Sequence, residues 1–435
     1  MTTDYDAIVV GAGFAGVTAA RGLRAAGRRT LLLEARDRIG GRTWTEEFAG
    51  RRIELGGAWI HWNQPHIWAE LTRYGIPVVA DEEPEEILLA TEEEPLPLPA
   101  DDVLMSVTEL LNRVFRDAAD YFPRPYDPLF RADLLDGYDQ LSLTEHLART
   151  DLTAEERNLV TGVLATELGG RADRSAVSMP AQWWSLGSLD RHGYHSIVSI
   201  RPEPGTLAVL EAMLADSPPE LRLGSPVAAV ADEGGRVVVT TRAGERFSAR
   251  TAVVAVPVNM WPAIDFSPGL PAAHTAVAGA GMGVADSVKL WLRFRSGLGR
   301  FIAQGAPDAP ISLLMPHSES EDGVHLMTGF SVDPSFDAAG FGEVEKAVRR
   351  LVPDAELIDY RAHDWGRDPF SRGGWGNRRP GHLINWHRAL GKPHGRVVFA
   401  GGDLADGWAG CIDGAVESGL RAARQAVRYS APEAD

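Results

Sequence analysis

Near the N-terminus the run YDAIVV (5–10) is apolar and has the length of a buried strand. The glycine-rich stretch GAGFAG follows. Then comes VTAARGLRAAG, in which Val17, Ala20 and Leu23 recur on one face at helical spacing. RRTLLLEA is a second apolar run of strand length. Strand, glycine turn, helix and strand in this order predict a parallel βαβ unit. Residues 102–120 and 142–163 carry helical periodicity, and SLTEHL opens with the capping-box pair Ser142 and Glu145. The acidic, proline-rich EEPEEILLATEEEPLPLPA (82–100) reads as a linker or surface excursion. Residues 221–256 change to short strand-like runs with a turn at Gly234 and Gly235. A mixed region continues to about residue 379, and the tail from GRVVFAGGDLADG onward returns to strand, loop, helix.

This order predicts an α/β protein with a Rossmann-type nucleotide-binding domain built from three discontinuous segments, 1–80, 199–266 and 380–435. Segments 81–198 and 267–379 form a mixed-sheet and helical substrate domain in this reading. A length of 435 residues accommodates both. The formal net charge of -17 argues against nucleic acid or an anionic membrane as the main partner. The single cysteine, Cys411, excludes an internal disulfide framework. No His, Asp or Glu cluster has convincing metal spacing, so no metal is expected. No GxSxG elbow points to a hydrolase. The opening MTTDYDAIVV lacks a basic n-region and an h-region, and no run of about 18 apolar residues exists. The expectation is a soluble, cytoplasmic protein without a membrane partner; homodimer formation is left open.

Gly11, Gly13 and Gly16 make GxGxxG, with Ala15 inside it, directly after a strand and at the head of a helix. Glu34 ends the second strand at the distance where an acid binds a ribose hydroxyl. The glycines let the backbone approach a pyrophosphate, which a helix N-terminus stabilises. Ala35 and Arg36 then lead into RIGGRTWT, with Arg38, Gly40, Gly41 and Arg42. A second glycine pair flanked by arginines suits the other side of the pyrophosphate, because a guanidinium fork matches phosphate oxygens.

LLLEARDRIGGRTWT followed by ELGGAWI resembles the N-terminal signature of the flavin-containing amine oxidase family, which includes monoamine, polyamine and bacterial nicotine-type amine oxidases. The resemblance implies FAD along this cradle, with Gly57, Ala58 and Trp59 beside the flavin ring. FAGGDLADGWAGCIDGAVESG is similar to the family's last FAD segment. By that match Asp403 binds the ribityl or pyrophosphate side, and the backbone of Ile412 donates toward the flavin pyrimidine carbonyl. GSPVAAV places Val227 against adenine. The resemblance runs in order over most of the chain and is strong in three segments.

On the reacting side the resemblance assigns Lys289, in SVKLWLRF, to a water beside the flavin and to reoxidation. WGRDPFSRGGW places Trp365 near the flavin and Trp375 as one wall of the substrate slot. The opposite wall, aromatic in many members, falls on Cys411. The family's flavin-attachment position falls on Gly374, so the FAD is expected to be noncovalent. Cys411 therefore reads as a small apolar wall residue, and the slot as fitted to a bulky or secondary amine. His61 is a candidate substrate contact, with a hydrogen-bonded structural histidine as the alternative. Trp62, Trp183 and Trp184 are further candidate lining residues, although most tryptophans simply pack.

The implied reaction is hydride transfer from the amine α-carbon to the flavin, giving an imine that water hydrolyses, with oxygen as acceptor and hydrogen peroxide as product. An L-amino-acid oxidase needs a pocket arginine, for which Arg372 and Arg378 are the nearest candidates. A dehydrogenase using another acceptor, a C–C desaturase and a noncatalytic binding protein are further alternatives.

Overall fold

The first apolar run becomes the middle of a sheet. In this computed structural model, which describes residues 4–430 except 92–93, 170–171, 191–192, 194–197, 285, 296–297, 307–308 and 320–324, strand β1 (Tyr5–Val10) lies parallel to β2 (Thr30–Leu33) and to Arg246–Val254. The sheet has eight strands, including Val227–Asp232, Val237–Thr241 and Glu220–Arg222. Val397–Phe399, far along the chain, pairs in parallel with Arg246–Val254. All four residues of β2 are buried, as expected where both faces of a parallel sheet are covered. Ala7, Val9 and Leu32 face helix α1 (Phe14–Ala25) and the C-terminal helix (Ile412–Ser430). Ile8, Val10, Leu31 and Leu33 pack with Trp261 and Phe399 on the other side.

Close approach of backbone fixes how α1 sits. A Cβ on Gly16 would stand 1.8 Å from the Gly11 carbonyl oxygen, so the helix can leave the strand at this angle only without a side chain there. A Cβ on Gly419 would stand 2.5 Å from the Ala15 carbonyl oxygen, so the C-terminal helix uses the same device against α1.

A second sheet of seven strands runs in the order Leu357–Asp364, Val288–Phe294, His325–Ser331, Leu313–Glu319, Phe301–Gln304, Glu86–Leu89, Leu96–Pro99. Its last two strands correct the linker reading of 82–100. Ile87 is buried and pairs with Leu98, and the two prolines of Leu96–Pro99 lie on an edge strand, where a missing ladder donor is tolerated. Short runs between glutamates and prolines hid the strands. Residues 142–163 also differ from one continuous helix. The chain turns extended at Thr150 and restarts, giving Leu143–Arg149 and Ala154–Leu168, each with its own capping box. Likewise 102–120 divides into Ala100–Val114 and Ala118–Tyr121. These helices share a core with Ile87 and with Trp183 and Trp184 of Ser178–Leu186. Among the described residues no helix is long and apolar enough to cross a membrane.

Gly16→Ala is expected to lower stability by about 3 kcal/mol in urea unfolding, because the clash is with backbone that has nowhere to move. Gly342→Ala, in a helix with open space around it, serves as the control and should leave the midpoint unchanged or slightly raised.

Candidate active site

The glycine turn after β1 feeds α1 through Gly13, which offers no side-chain cap, and the first turn of the helix holds no acid. Its leading amides are thus left for an anionic ligand. Glu34 braces the turn by accepting from the Ala12 amide at 2.8 Å and the Arg36 amide at 2.9 Å. The second glycine turn locks onto the first. Gly40 donates to the Ala12 carbonyl at 2.9 Å, and Gly13 and Gly40 form a parallel bridge.

The arginines divide their tasks. Arg38 donates to the carbonyls of Ile39, Gly41 and Thr43 and lies over the Trp44 ring, so it braces its own turn. Arg36 pairs with Asp368 and donates to Ser371 Oγ at 2.9 Å. Arg42 donates to the Gly374 carbonyl at 2.9 Å and to Asp403 Oδ1 at 2.8 Å.

A cavity of about 440 Å³ is lined by residues from both large sheets. From the first turn it is lined by Gly11, Gly13 and Ala15, and after β2 by Glu34, Ala35 and Arg36. Gly41, Arg42, Gly57, Ala58, Trp59, Val227, Lys289, Trp365, Trp375, Cys411 and Ile412 also line it. Three expected site residues do not. Gly16 stands behind Gly11, where it serves packing. Asp403 stands behind Arg42, with Oδ1 on the guanidinium and Oδ2 accepting from the Val258 amide at 3.3 Å. His61 is fully buried and does not line the cavity. The chain turns between His61 and Gln64, and Nδ1 accepts from the Asn63 amide at 3.1 Å while the ring lies against Trp62.

The wall that carries Lys289 and Trp375 is tightly specified. Lys289 is buried, donates from Nζ to the Gly56 carbonyl at 2.8 Å, and stands 4.6 Å from the Trp59 ring centroid. Burial pushes its ammonium down to about 8, against the opposing pull of Glu54 and Asp81. Trp375 donates to the Glu167 carbonyl at 2.7 Å and meets Phe330 edge-on at 6.2 Å. Trp365 donates to the Leu55 carbonyl at 2.8 Å. Burial, then the nearby carboxylates of Asp413 and Glu167, push the Cys411 thiol up to about 12, so it is a protonated wall group rather than a nucleophile.

Sequence reading missed the apolar chamber in front of this wall. Val103 and Val107 of one helix, Leu159 and Val163 of another, and Ile87, Ile302, Leu313 and Phe330 of the second sheet line it. The two i,i+4 pairs were the available signal. Glu167 carried none, because it fixes Trp375 through its backbone.

Residues 14–427 match the family model of flavin containing amine oxidoreductases. The chain belongs to this family. As a flavin amine oxidoreductase it uses FAD and acts on amines. The uncapped helix, the interlocked glycine turns, Glu34 and Arg42 are the residues that would hold that cofactor, and they fit it. The chain is 36% identical to a pseudooxynicotine dehydrogenase of Pseudomonas sp., over 98% of this chain and 87% of that protein. It is 31% identical to the (S)-6-hydroxynicotine oxidase of Paenarthrobacter nicotinovorans, over 95% and 97%. A redesigned putrescine oxidase shares the fold of this amine oxidoreductase with a TM-score of 0.85 at 23% identity, covering 98% of this chain and 99% of that one.

Arg42→Met leaves the Asp403 carboxylate buried and unpaired. A loss of about 3 kcal/mol in unfolding free energy is expected, together with weaker FAD retention on gel filtration, read from the flavin absorbance of the protein peak.

Proposed function

We propose that this enzyme oxidises a bulky or secondary, ring-bearing amine at the carbon next to nitrogen, giving an imine that water hydrolyses. The observation that carries this reading is the pairing of one indole, Trp375, with one thiol, Cys411, on the wall of an otherwise apolar chamber. Two relatives named for pyridine-bearing amines support the same substrate class. FAD, when bound, supplies the two-electron acceptor for the hydride leaving the α-carbon.

The chain's own groups do the rest. Trp375, held by Glu167 and Phe330, orients the substrate. The chamber walls exclude water, which favours the neutral amine whose lone pair assists hydride departure. Lys289 holds a proton at Nζ close to neutral pH and has N–H donors with which to position a water at the reacting wall. Gly374 offers no side chain for attachment and Cys411 is held as a thiol, which supports a noncovalent cofactor.

An L-amino-acid oxidase fits less well. Arg372 is exposed, and Arg378 is buried and donates to Gln182 Oε1 at 2.6 Å; neither lines the cavity. For the acceptor we propose oxygen, with hydrogen peroxide as product. One observation favours a different acceptor: the 36% identical relative is named a dehydrogenase.

Anaerobic flavin bleaching with a panel of small primary amines, amino acids and ring-bearing secondary amines tests the substrate class whatever the acceptor. Fastest bleaching is expected with the last group; preference for amino acids would overturn the reading. Cys411→Tyr should lower kcat/KM for ring-bearing amines relative to small primary amines by about tenfold or more, and an unchanged ratio would count against the lopsided slot. Peroxide release in air, set against turnover with an artificial dye, decides the acceptor.

A further inference from the structure

Trp59 separates the main cavity from a second cleft of about 20 Å³, room for about one water, lined among others by Glu54, Asp81, Arg201, Trp291 and His317. Asp81 is the hub of that cleft. Its Oδ2 accepts from the Trp59 indole N–H at 2.6 Å, and its Oδ1 accepts from Arg201 Nε at 2.6 Å. The carboxylate is nearly buried, with its side chain 9% exposed. The Lys289 ammonium lies over the same indole, 4.6 Å from the ring centroid. Without the bond to Asp81 an indole at a cavity wall has other rotamers available, and the aromatic face under the ammonium would not be fixed.

We propose that Asp81 is a positioning residue for Lys289: it pins the Trp59 indole against which the ammonium rests, and with Arg201 it sets the charge behind that indole. The inference builds on the placement of Lys289 at the reacting wall proposed above.

Among the described residues, the charged and titratable groups around Lys289 are Glu54, Asp81, Arg201, His317 and His363. Glu54, from Arg51–Glu54, is fixed by Thr45 Oγ1, the Thr206 amide and Thr206 Oγ1. Asp81 follows the strand Val78–Ala80, and Arg201 lies on Ile200–Pro202. His317, on Leu313–Glu319, is driven down to about 3 by burial and by Arg201 and Lys289, so it is neutral at working pH. His363, opposite Lys289 in the sheet register, is engaged by Asp368 at 3.1 Å. The two carboxylates favour the ammonium and Arg201 opposes it. Removing Asp81's charge therefore lowers the Lys289 midpoint, and removing Arg201's raises it.

The chain makes this measurable, because Lys289, Lys346 and Lys392 are its only lysines. The FAD-loaded holoenzyme, labelled with 13C-lysine, should show three Cε resonances, with that of Lys289 assigned by its loss in Lys289→Met. Its midpoint in the unsubstituted enzyme is expected at about 8. In Asp81→Asn, which keeps an acceptor for the Trp59 N–H, it should fall by about one unit. In Arg201→Gln it should rise. Disturbed packing would move both variants the same way, so opposite signs support the proposal, and same-sign shifts or no shift overturn it. Should Asp81→Asn fail to fold, Asp81→Ser takes its place in the same comparison, and the opposite-sign criterion is unchanged. A turnover pH profile distinguishes this inference from the reading beneath it. If the midpoint moves as expected while no limb of the profile follows it, Lys289 has no part in turnover although Asp81 still governs its charge.

Discussion

One guanidinium joins the parts of the chain that close around the cavity. Arg42 comes from the second glycine turn, and it bonds at once to the Gly374 carbonyl of the middle region and to Asp403 near the C-terminus. Asp403 is almost fully buried, so its charge requires a partner, and Arg42 is the cation that meets it. The pair therefore does more than add stability. It sets the distance between segments that are 361 residues apart, and it does so at the cavity wall. Arg36 repeats the arrangement with Asp368 and Ser371, tying the N-terminal unit to the segment that carries Trp365 and Trp375.

Cation chemistry differs between the two walls. The chain holds 43 basic residues, of which three are lysines. Arginine, always charged and fork-shaped, takes the structural tasks at Arg36, Arg38 and Arg42. Lysine appears at the aromatic wall of the cavity, buried among Trp59, Trp291 and Phe330. An arginine there would keep its proton at every working pH. A lysine whose ammonium is brought down to about 8 can lose its proton within reach of neutral pH. The fold thus separates a permanent charge that orders the glycine turns from a titratable one at the aromatic wall of the cavity.

What could be read from sequence alone follows from the range of the interactions involved. The strand, glycine turn and helix at 5–25 were legible because period, turn residues and the acid at Glu34 lie within one unit. The family resemblance extended this to Val227, Lys289, Trp365, Trp375 and Ile412, all of which line the cavity. What local pattern could not show depended on distant partners. Residues 86–89 form a strand between Phe301–Gln304 on one side and Leu96–Pro99 on the other. His61 lies off the cavity wall, in the turn that leads to the helix Pro65–Tyr74. Asp403 is set behind the wall by a cation that no local pattern would pair with it. Asp81 had no sequence signal at all; its place emerges only when Trp59 and Arg201 meet it.

Position 411 shows how a cavity can vary while its frame does not. The Cys411 carbonyl accepts from the Ala415 amide at 3.2 Å and so opens the C-terminal helix. Its amide donates to the Trp408 carbonyl, while the Trp408 indole is fixed on Asn63. The preceding Gly410 packs directly on Gly376, where an added Cβ would come within 2.7 Å of backbone. These backbone contacts hold residue 411 on the wall of the cavity that Trp375 also lines, and none of them uses the thiol. The side chain is free to differ without moving the segment that presents it. Cradle and slot are therefore independent in this architecture: the first is built from backbone and buried ion pairs, the second from side chains whose size sets the width of the cavity.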